Sequence, residues 1–97
     1  MIKADIVQEV ANNTGLTKIE TEAVFESILS SIMNSLKKGE RVDIRGFGNF
    51  IVKKKSARTA RNPATQEPVM IQEKFVPVFK VSKIMKNEVH KSMLRGF

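Results

Sequence analysis

The feature that most constrains this fold is a run, residues 53–74, with too few apolar side chains to build a core. Its first half is basic and contains no acid: Lys53, Lys54, Lys55, Arg58, Arg61. Pro63 lacks an N–H and has a fixed φ, so it cannot continue a central strand. A short β-like run, Val69-Met70-Ile71, follows it. Two extended segments meeting at a proline predict a ribbon arm, about residues 53–75, that projects into solvent. Its charge suits a nucleic-acid groove, where a proline can wedge between base pairs.

Length and composition set limits on the rest of the chain. Ninety-seven residues predict a single domain, residues 1–97. Because the arm adds little to a core, the remainder is small, and self-association is expected. The absence of cysteine and the single histidine argue against disulfides and metal sites, and no cofactor is predicted. No apolar run approaches the roughly 20 residues of a membrane helix, and no signal peptide is recognised at the amino terminus. We therefore expect a cytoplasmic protein.

The net charge of +7 is unevenly distributed. Residues 1–44 carry 5 basic and 7 acidic side chains, whereas residues 45–97 carry 12 basic and 3 acidic side chains. Clustering of positive charge in one half of a chain is typical of a surface that binds a polyanion. The alternative, a surface that is charged only for solubility, explains a basic balance but not its clustering. The distribution favours nucleic acid as the partner.

Two helices are predicted before the first strand. The first runs from Lys3 to Thr14, with Gly15 placed to end it. The segment Thr17-Lys18-Ile19-Glu20 has the form of a capping box and begins a second helix that extends to about Lys38. The second helix carries a broad apolar stripe: Val24, Phe25, Ile28, Leu29, Ile32, Met33 and Leu36. Because this stripe is wider than a small monomer needs on one side, it favours a core together with a dimer interface over a core alone.

Three strands are predicted after these helices. Residues 42–44 alternate between apolar and charged side chains, as in a half-buried strand. Gly46-Phe47-Gly48 is expected to turn the chain, and residues 50–52 open a second strand that leads into the arm. Residues 75–81 return from the arm as a third strand. Pro77 places that strand at a sheet edge or introduces a bulge.

A last helix is predicted from Lys83 to about Leu94, with Ser82 as its N-cap. Lys83 and Lys86 lie one helical turn apart, so both can point to the same side. A helix face that is simply exposed to solvent would show the same pattern. The residues alone do not distinguish such a face from one that binds phosphates. Gly96 is expected to end the helix. Helices followed by strands and a final helix indicate the α+β class.

The arm carries a recognisable motif. Arg58-x-Ala60-Arg61-Asn62-Pro63-x-Thr65-Gln66 resembles the signature R-x-G-R-N-P-x-T-G of the bacterial HU and integration host factor family of DNA-bending proteins. The similarity runs from Lys3 to about His90 and includes Gly46-Phe47-Gly48 and Val76-Pro77-x-Phe79.

Two residues depart from the family signature: Ala60 and Gln66 stand where the family usually has glycine. Glycine reaches positive φ without penalty and glutamine does not. The departure at Gln66 therefore predicts a tip turn that is less tightly ordered than in the family.

The resemblance implies both an architecture and a function. Two N-terminal helices would lie under a three-stranded antiparallel sheet with a long β-ribbon arm and a short C-terminal helix, assembled as an intertwined dimer. Two arms would embrace double-stranded DNA through its minor groove, and Pro63 of each would intercalate at a base step. Candidate DNA-binding residues are Lys3, Arg45, Lys53, Lys55, Arg58, Arg61, Asn62, Pro63, Lys74, Lys80, Lys83 and Lys86. Candidate dimer-core residues are Phe25, Ile28, Leu29, Ile32, Leu36, Phe47, Phe50 and Phe79.

Alternatives of other classes remain at this point. Residues 45–52 approximate a strand of an RNA recognition motif, but Asn49 stands where a stacking ring is needed. A general RNA or single-strand chaperone is a competing function. No catalytic motif is recognised, and neither an enzyme nor a small-molecule substrate is expected. Within the family, a nucleoid-associated homodimer of low sequence preference and a site-specific half of a heterodimer are both open.

Overall fold

The structure, a computed structural model, describes residues 1–96. It forms two compact units, residues 1–35 and the chain from Leu36 onward. Three α-helices are present in the described residues: α1 Lys3–Thr14, α2 Lys18–Lys37 and α3 Lys83–Arg95. Five strands are present there: β1 Val42–Ile44, β2 Gly48–Lys55, β3 Arg58–Arg61, β4 Pro68–Ile71 and β5 Lys74–Val81. The predicted α+β class and the predicted order of elements are confirmed.

Local capping explains where the first two helices begin and end. Gly15 ends α1 in the left-handed region (φ 78°) and donates its N–H to Ala11 O at 3.0 Å. The Thr17 hydroxyl accepts from Glu20 N at 3.1 Å, and Thr17 N donates to Glu20 Oε1 at 3.0 Å, which completes the predicted capping box. Hydrogen bonds from the side chain and backbone of Thr17 lower the pKa of the Glu20 carboxyl. The predicted helix boundaries agree with the structure to within one residue.

The helices leave apolar surface uncovered in the single chain. Val7 and Ala11 of α1 are the buried apolar residues among residues 1–96. In α2 the buried residue is Thr21, whereas Ile28 and Met33 in the apolar stripe are 53% and 62% exposed. Exposed apolar surface of this extent is costly in water and is typical of an interaction surface.

The main sheet is antiparallel, with the strand order β1-β2-β5. Val42 pairs with Phe50, and Phe50 with Phe79, across the three strands. Strand β5 lies at an edge, as its proline predicts, and Pro77 pairs with Val52 in a ladder without a bulge.

Gly48 has a different role from the one predicted. The turn occupies residues 45–47, where Phe47 N donates to Ile44 O at 3.0 Å, and Gly48 is the first residue of β2. A Cβ at this position would lie 2.5 Å from Lys80 O and 2.6 Å from the Phe79 ring. Glycine is needed here because β5 approaches too closely for any side chain.

The arm is a two-stranded extension of the sheet. Lys55 pairs with Lys74 at the end of the β2–β5 ladder, and Arg58 pairs with Ile71 at the start of the β3–β4 ladder. Both strands advance by three residues between these pairs, so the register passes unchanged from the sheet into the arm. The predicted long β-ribbon arm is confirmed.

The last helix is fixed to the turn between β1 and β2. The Ser82 hydroxyl accepts from Met85 N at 3.0 Å as the predicted N-cap, and it also donates to Gly46 O at 2.9 Å. Ser82 N donates to Phe47 O at 2.9 Å. Gly96 ends the helix with φ 72°. These bonds place the N-terminus of α3 beside residues 45–47.

Candidate nucleic-acid interface

Four of the predicted DNA-binding lysines lie on one face of the sheet. In a strand, alternate side chains point to the same face, and paired residues share a face with their partners. Lys53 and Lys55 alternate along β2, Lys74 pairs with Lys55, and Lys80 pairs with Asn49. We call Lys53, Lys55, Lys74 and Lys80 the basic face. The register places the Phe50–Phe79 pair on the opposite side of the sheet.

The basic face carries an electrostatic cost in the free protein. Lys55 and Lys74 are directly opposite each other, and like charges in such cross-strand pairs are destabilising. Within residues 1–96 none of the four lysines has a carboxylate within salt-bridge distance. By contrast, Lys54, which alternates to the other face, is 3.5 Å from Glu73 Oε2. A polyanion on the basic face would relieve this repulsion.

The arm tip is a hydrogen-bonded turn that presents Pro63 to solvent. Asn62 N donates to Glu67 O at 2.9 Å, and Gln66 N donates to Asn62 O at 2.7 Å. The Asn62 side chain accepts from Ala64 N at 2.9 Å, so this residue shapes the turn from both its backbone and its side chain. None of these three bonds uses a backbone group of Pro63, which leaves the ring free to contact a ligand.

The two residues that depart from the family signature behave differently. Ala60 lies in β3, paired with Val69, and its φ is not positive. Gln66 has φ 63°, the left-handed region that glycine enters freely. For a residue with a side chain this conformation costs roughly 1–2 kcal/mol. The turn is hydrogen-bonded through Asn62, and Gln66 is strained within it. That the tip is less tightly ordered than in the family stays a prediction.

The predicted arginines occupy three separate positions. Arg58 and Arg61 are three residues apart in β3, so they point to opposite faces of the arm. Arg45 lies in the turn before β2 and lines a shallow cavity with Asn49 and Ser82. Lys83 and Lys86 lie on the first turns of α3, where the helix N-terminus adds positive potential. The second unit thus brings together residues from the sheet, the turn, the arm and α3.

Asn49, which the sequence did not mark as a candidate site residue, lies in the middle of the sheet. It lies between Asp43 and Lys80 in the row that crosses β1, β2 and β5. Its Oδ1 is buried without a hydrogen-bond partner in residues 1–96. In the sequence, Asn49 was noted only as a position that lacks an aromatic ring for stacking. Its neighbours Asp43 and Lys80 lie on other strands, so adjacent residues in the sequence do not reveal them.

Lys3 belongs to the first unit and is already paired. Its ammonium contacts the Glu26 carboxylate and lies 3.8 Å from Glu22 Oε1. The sequence predicted a DNA contact here but gave no sign of these partners, which lie on α2. A phosphate at Lys3 would have to compete with Glu26.

The predicted dimer-core residues form two groups, one on α2 and one on the sheet and the turn that precedes β2. On α2, Ile28 and Leu29 are exposed, and Phe25, Ile32 and Leu36 are partly exposed. In the second unit the Phe79 ring centroid lies 5.4 Å from that of Phe47 and 4.8 Å from that of Phe50. Phe79 is nevertheless 41% exposed in the single chain.

Comparison with known proteins identifies the family. The sequence profile described as "Bacterial DNA-binding protein" matches residues 1–90. The chain belongs to this bacterial DNA-binding protein family, which includes HU and integration host factor. It is 43% identical to the DNA-binding protein HU of Staphylococcus aureus over 89 residues, which cover 92% of this chain and 99% of that protein. It is 40% identical to the integration host factor subunit beta of Marinobacter nauticus over 98 positions, which cover 100% of both chains.

Solved structures agree with this assignment. The HU protein in the Anabaena HU–DNA cocrystal structure superposes with a TM-score of 0.83 at 34% identity, covering 92% of this chain and 97% of that one. The fold is therefore the HU fold. In the described part of the chain, no helix is long and apolar enough to cross a membrane, and no three His, Cys, Asp or Glu side chains are grouped to hold a metal ion.

Proposed function

We propose that this chain is an HU-like architectural protein of the bacterial nucleoid in the cytoplasm. Two copies form an intertwined homodimer, and their arms enter the minor groove of double-stranded DNA. Pro63 of each arm inserts at a base step and bends the duplex, with low sequence preference and no catalytic activity. One observation carries the proposal: a ribbon continuous with the sheet ends in a hydrogen-bonded turn that exposes Pro63 beside Arg61.

The charge distribution supports contact with the DNA backbone. The basic face, together with Arg45, Lys83 and Lys86 in the same unit, carries positive charges that have no carboxylate partner within residues 1–96. Such contacts release counterions and carry little sequence information, which fits a protein of low sequence preference. The minor groove adds only a degenerate pattern, mainly A·T against G·C.

The exposed apolar surfaces support a dimer. Within residues 1–96 only two apolar residues are buried in the single chain, which is a small core for a stable monomer. A second copy that covers the α2 stripe and the cluster of Phe47, Phe50 and Phe79 would remove this apolar surface from water. The family profile spans both compact units, which supports one domain rather than two.

Comparing DNA substrates tests the function directly. We expect fluorescence anisotropy to show tight binding to a nicked or mismatched duplex, weaker binding to intact duplex, and the weakest to single-stranded RNA or DNA. Unstacking is cheaper where stacking is already broken, so a bending protein prefers such sites. A preference for single strands over every duplex would instead favour the chaperone function.

Replacing Arg61 with alanine is expected to weaken binding and make it less sensitive to salt. Each phosphate contact contributes about −0.9 to the slope of log affinity against log salt, so the slope should become shallower by about one. Arg41→Ala is the matched control, because Arg41 Nη2 is already 2.9 Å from Asp43 Oδ1. Titrations at several salt concentrations measure both slopes. Equal slopes for the wild type and Arg61→Ala would contradict a phosphate contact.

Glu26→Gln is expected to increase DNA affinity, because it removes the closer of the two carboxylates beside Lys3 and leaves only Glu22 Oε1 at 3.8 Å. Exposed ion pairs are worth about 0.2–1 kcal/mol, so the gain should be at most about fivefold. Glu9→Gln removes the same charge from the first unit, where Glu9 has no ion-pair partner in residues 1–96. Binding assays at low salt compare the two variants. The same gain in both would indicate a general charge effect and no specific role for Lys3.

An integration-host-factor-like subunit is the second candidate, because the identities to HU and to subunit beta are similar, at 43% and 40%. The two functions differ in whether the chain dimerises with itself. Sedimentation of the purified chain at micromolar concentration separates them. A stable dimer favours the HU-like function, and a chain that folds only with a related partner favours the heterodimer.

A further inference from the structure

Gln66 adopts a backbone conformation that is unfavourable for a residue with a side chain. Among residues 1–96 it is the single non-glycine residue with positive φ. Strained backbone conformations persist where the surrounding structure holds them, and they cluster at sites of ligand contact. This position therefore has a glutamine in spite of a conformational cost that glycine would avoid.

The turn fixes the backbone of Gln66 and leaves its side chain unused. Gln66 N donates to Asn62 O at 2.7 Å, and Asn62 N closes the turn on Glu67 O at 2.9 Å. The Gln66 side chain is exposed and makes no hydrogen bond within residues 1–96. An amide with two donors and one acceptor is thus held in the same turn as Pro63.

We propose that the Gln66 amide donates a hydrogen bond to the floor of the minor groove beside the step that Pro63 opens. This inference rests on the proposed function. Adenine N3 and thymine O2 accept hydrogen bonds there, whereas guanine adds an N2 amino donor that opposes an approaching N–H. Proteins that bind the minor groove use glutamine for such readout. Gln66 gives the arm a preference for A·T pairs at the flanking position, which a glycine in its place cannot supply.

Duplexes with a single nick, which fixes the position of the kink, provide the test. The pairs within three positions of the nick are all A·T, all G·C or all inosine·C. Inosine lacks the guanine N2 amino group, so it presents acceptors in the minor groove as an A·T pair does. Wild type, Gln66→Ala and Gln66→Gly are compared by anisotropy at one salt concentration, and end-to-end energy transfer on the same duplexes measures bending. Alanine keeps the Cβ and its backbone strain without the amide, and glycine removes both.

We expect the wild type to bind the A·T and inosine·C duplexes about three- to tenfold more tightly than the G·C duplex. Both variants should lose this preference. Glycine also removes the backbone strain at positive φ, which does not depend on the base pairs beside the nick. Any further change in the affinity of Gln66→Gly should therefore be the same for all three duplexes.

Three results would overturn the inference. They are an unchanged preference in Gln66→Ala, inosine·C behaving like G·C in the wild type, and a preference for G·C that depends on Gln66. Failure of the proposed function gives a different result, in which the wild type neither binds nor bends any of the duplexes. A wild type that bends all three, with the same base preference as Gln66→Ala, rejects only the role of Gln66.

Discussion

Pro63→Ala is expected to bend intact duplex much less than the wild type does, while net charge and the salt slope stay the same. Kinks made by inserted apolar side chains span about 20–90°, so loss of the wedge should reduce the bend by tens of degrees. The tip should keep its shape, because its hydrogen bonds join Asn62 to Ala64, Gln66 and Glu67 and use no backbone group of Pro63. End-to-end energy transfer on saturated complexes measures the bend.

The arm contains its own control for this experiment. Pro68 is the first residue of β4, paired with Arg61, and Pro68→Ala makes the same chemical change just outside the tip turn. We expect Pro68→Ala to bend DNA as the wild type does. The defect of Pro63→Ala should shrink on nicked duplex, where less unstacking is required. If Pro63→Ala bends intact duplex as sharply as the wild type does, the bend arises from charge neutralisation and from DNA contacts outside the arm.

Phe79→Ala is expected to have the largest effect on stability. Phe79 joins Phe47 and Phe50 in one cluster, and truncating a phenylalanine that is buried in the assembled protein costs about 3–5 kcal/mol. If a second copy covers this cluster, the variant should also dissociate more readily. Urea unfolding at two protein concentrations measures both effects, because the unfolding midpoint of a dimer rises with concentration.

Phe75→Ala separates this effect from a general loss of apolar surface. Phe75 lies on the same strand and the same sheet face as Phe79, but it is 64% exposed and makes no ring contact in the described residues. We expect its unfolding free energy to fall much less. Comparable losses in the two variants, or a wild-type midpoint independent of concentration, would argue against the Phe79 cluster as dimer core.

Local chemistry determined much of what could be predicted. Gly15 and the pair Thr17 and Glu20 mark helix ends through bonds within a few residues, and their positions were predicted closely. Pro77 likewise marked an edge strand because its missing N–H has the same consequence in any sheet. The arm was identifiable since its composition cannot form a core.

What was missed depends on contacts between residues distant in the sequence. Gly48 is required by the approach of Lys80 O, 32 positions further along the chain. The ion pair of Lys3 joins residues 23 positions apart. The sharing of one sheet face by Lys53, Lys55, Lys74 and Lys80 follows from the strand register, which the sequence does not specify residue by residue. At the tip, the sequence singled out Gln66, and the structure adds that Asn62 makes the hydrogen bonds of the turn.

The unchanged register between sheet and arm restricts how the arm can vary in length. Inserting one residue in each strand would lengthen the arm by about 3.3 Å and turn every side chain beyond the insertion to the other face. Arg61 and the tip would then be inverted relative to the lysines at the base. Inserting two residues in each strand restores the orientation at a reach greater by roughly 7 Å. Arms that keep Arg61 and the tip in the same orientation relative to the lysines at the base should therefore differ in length by even numbers of residues per strand.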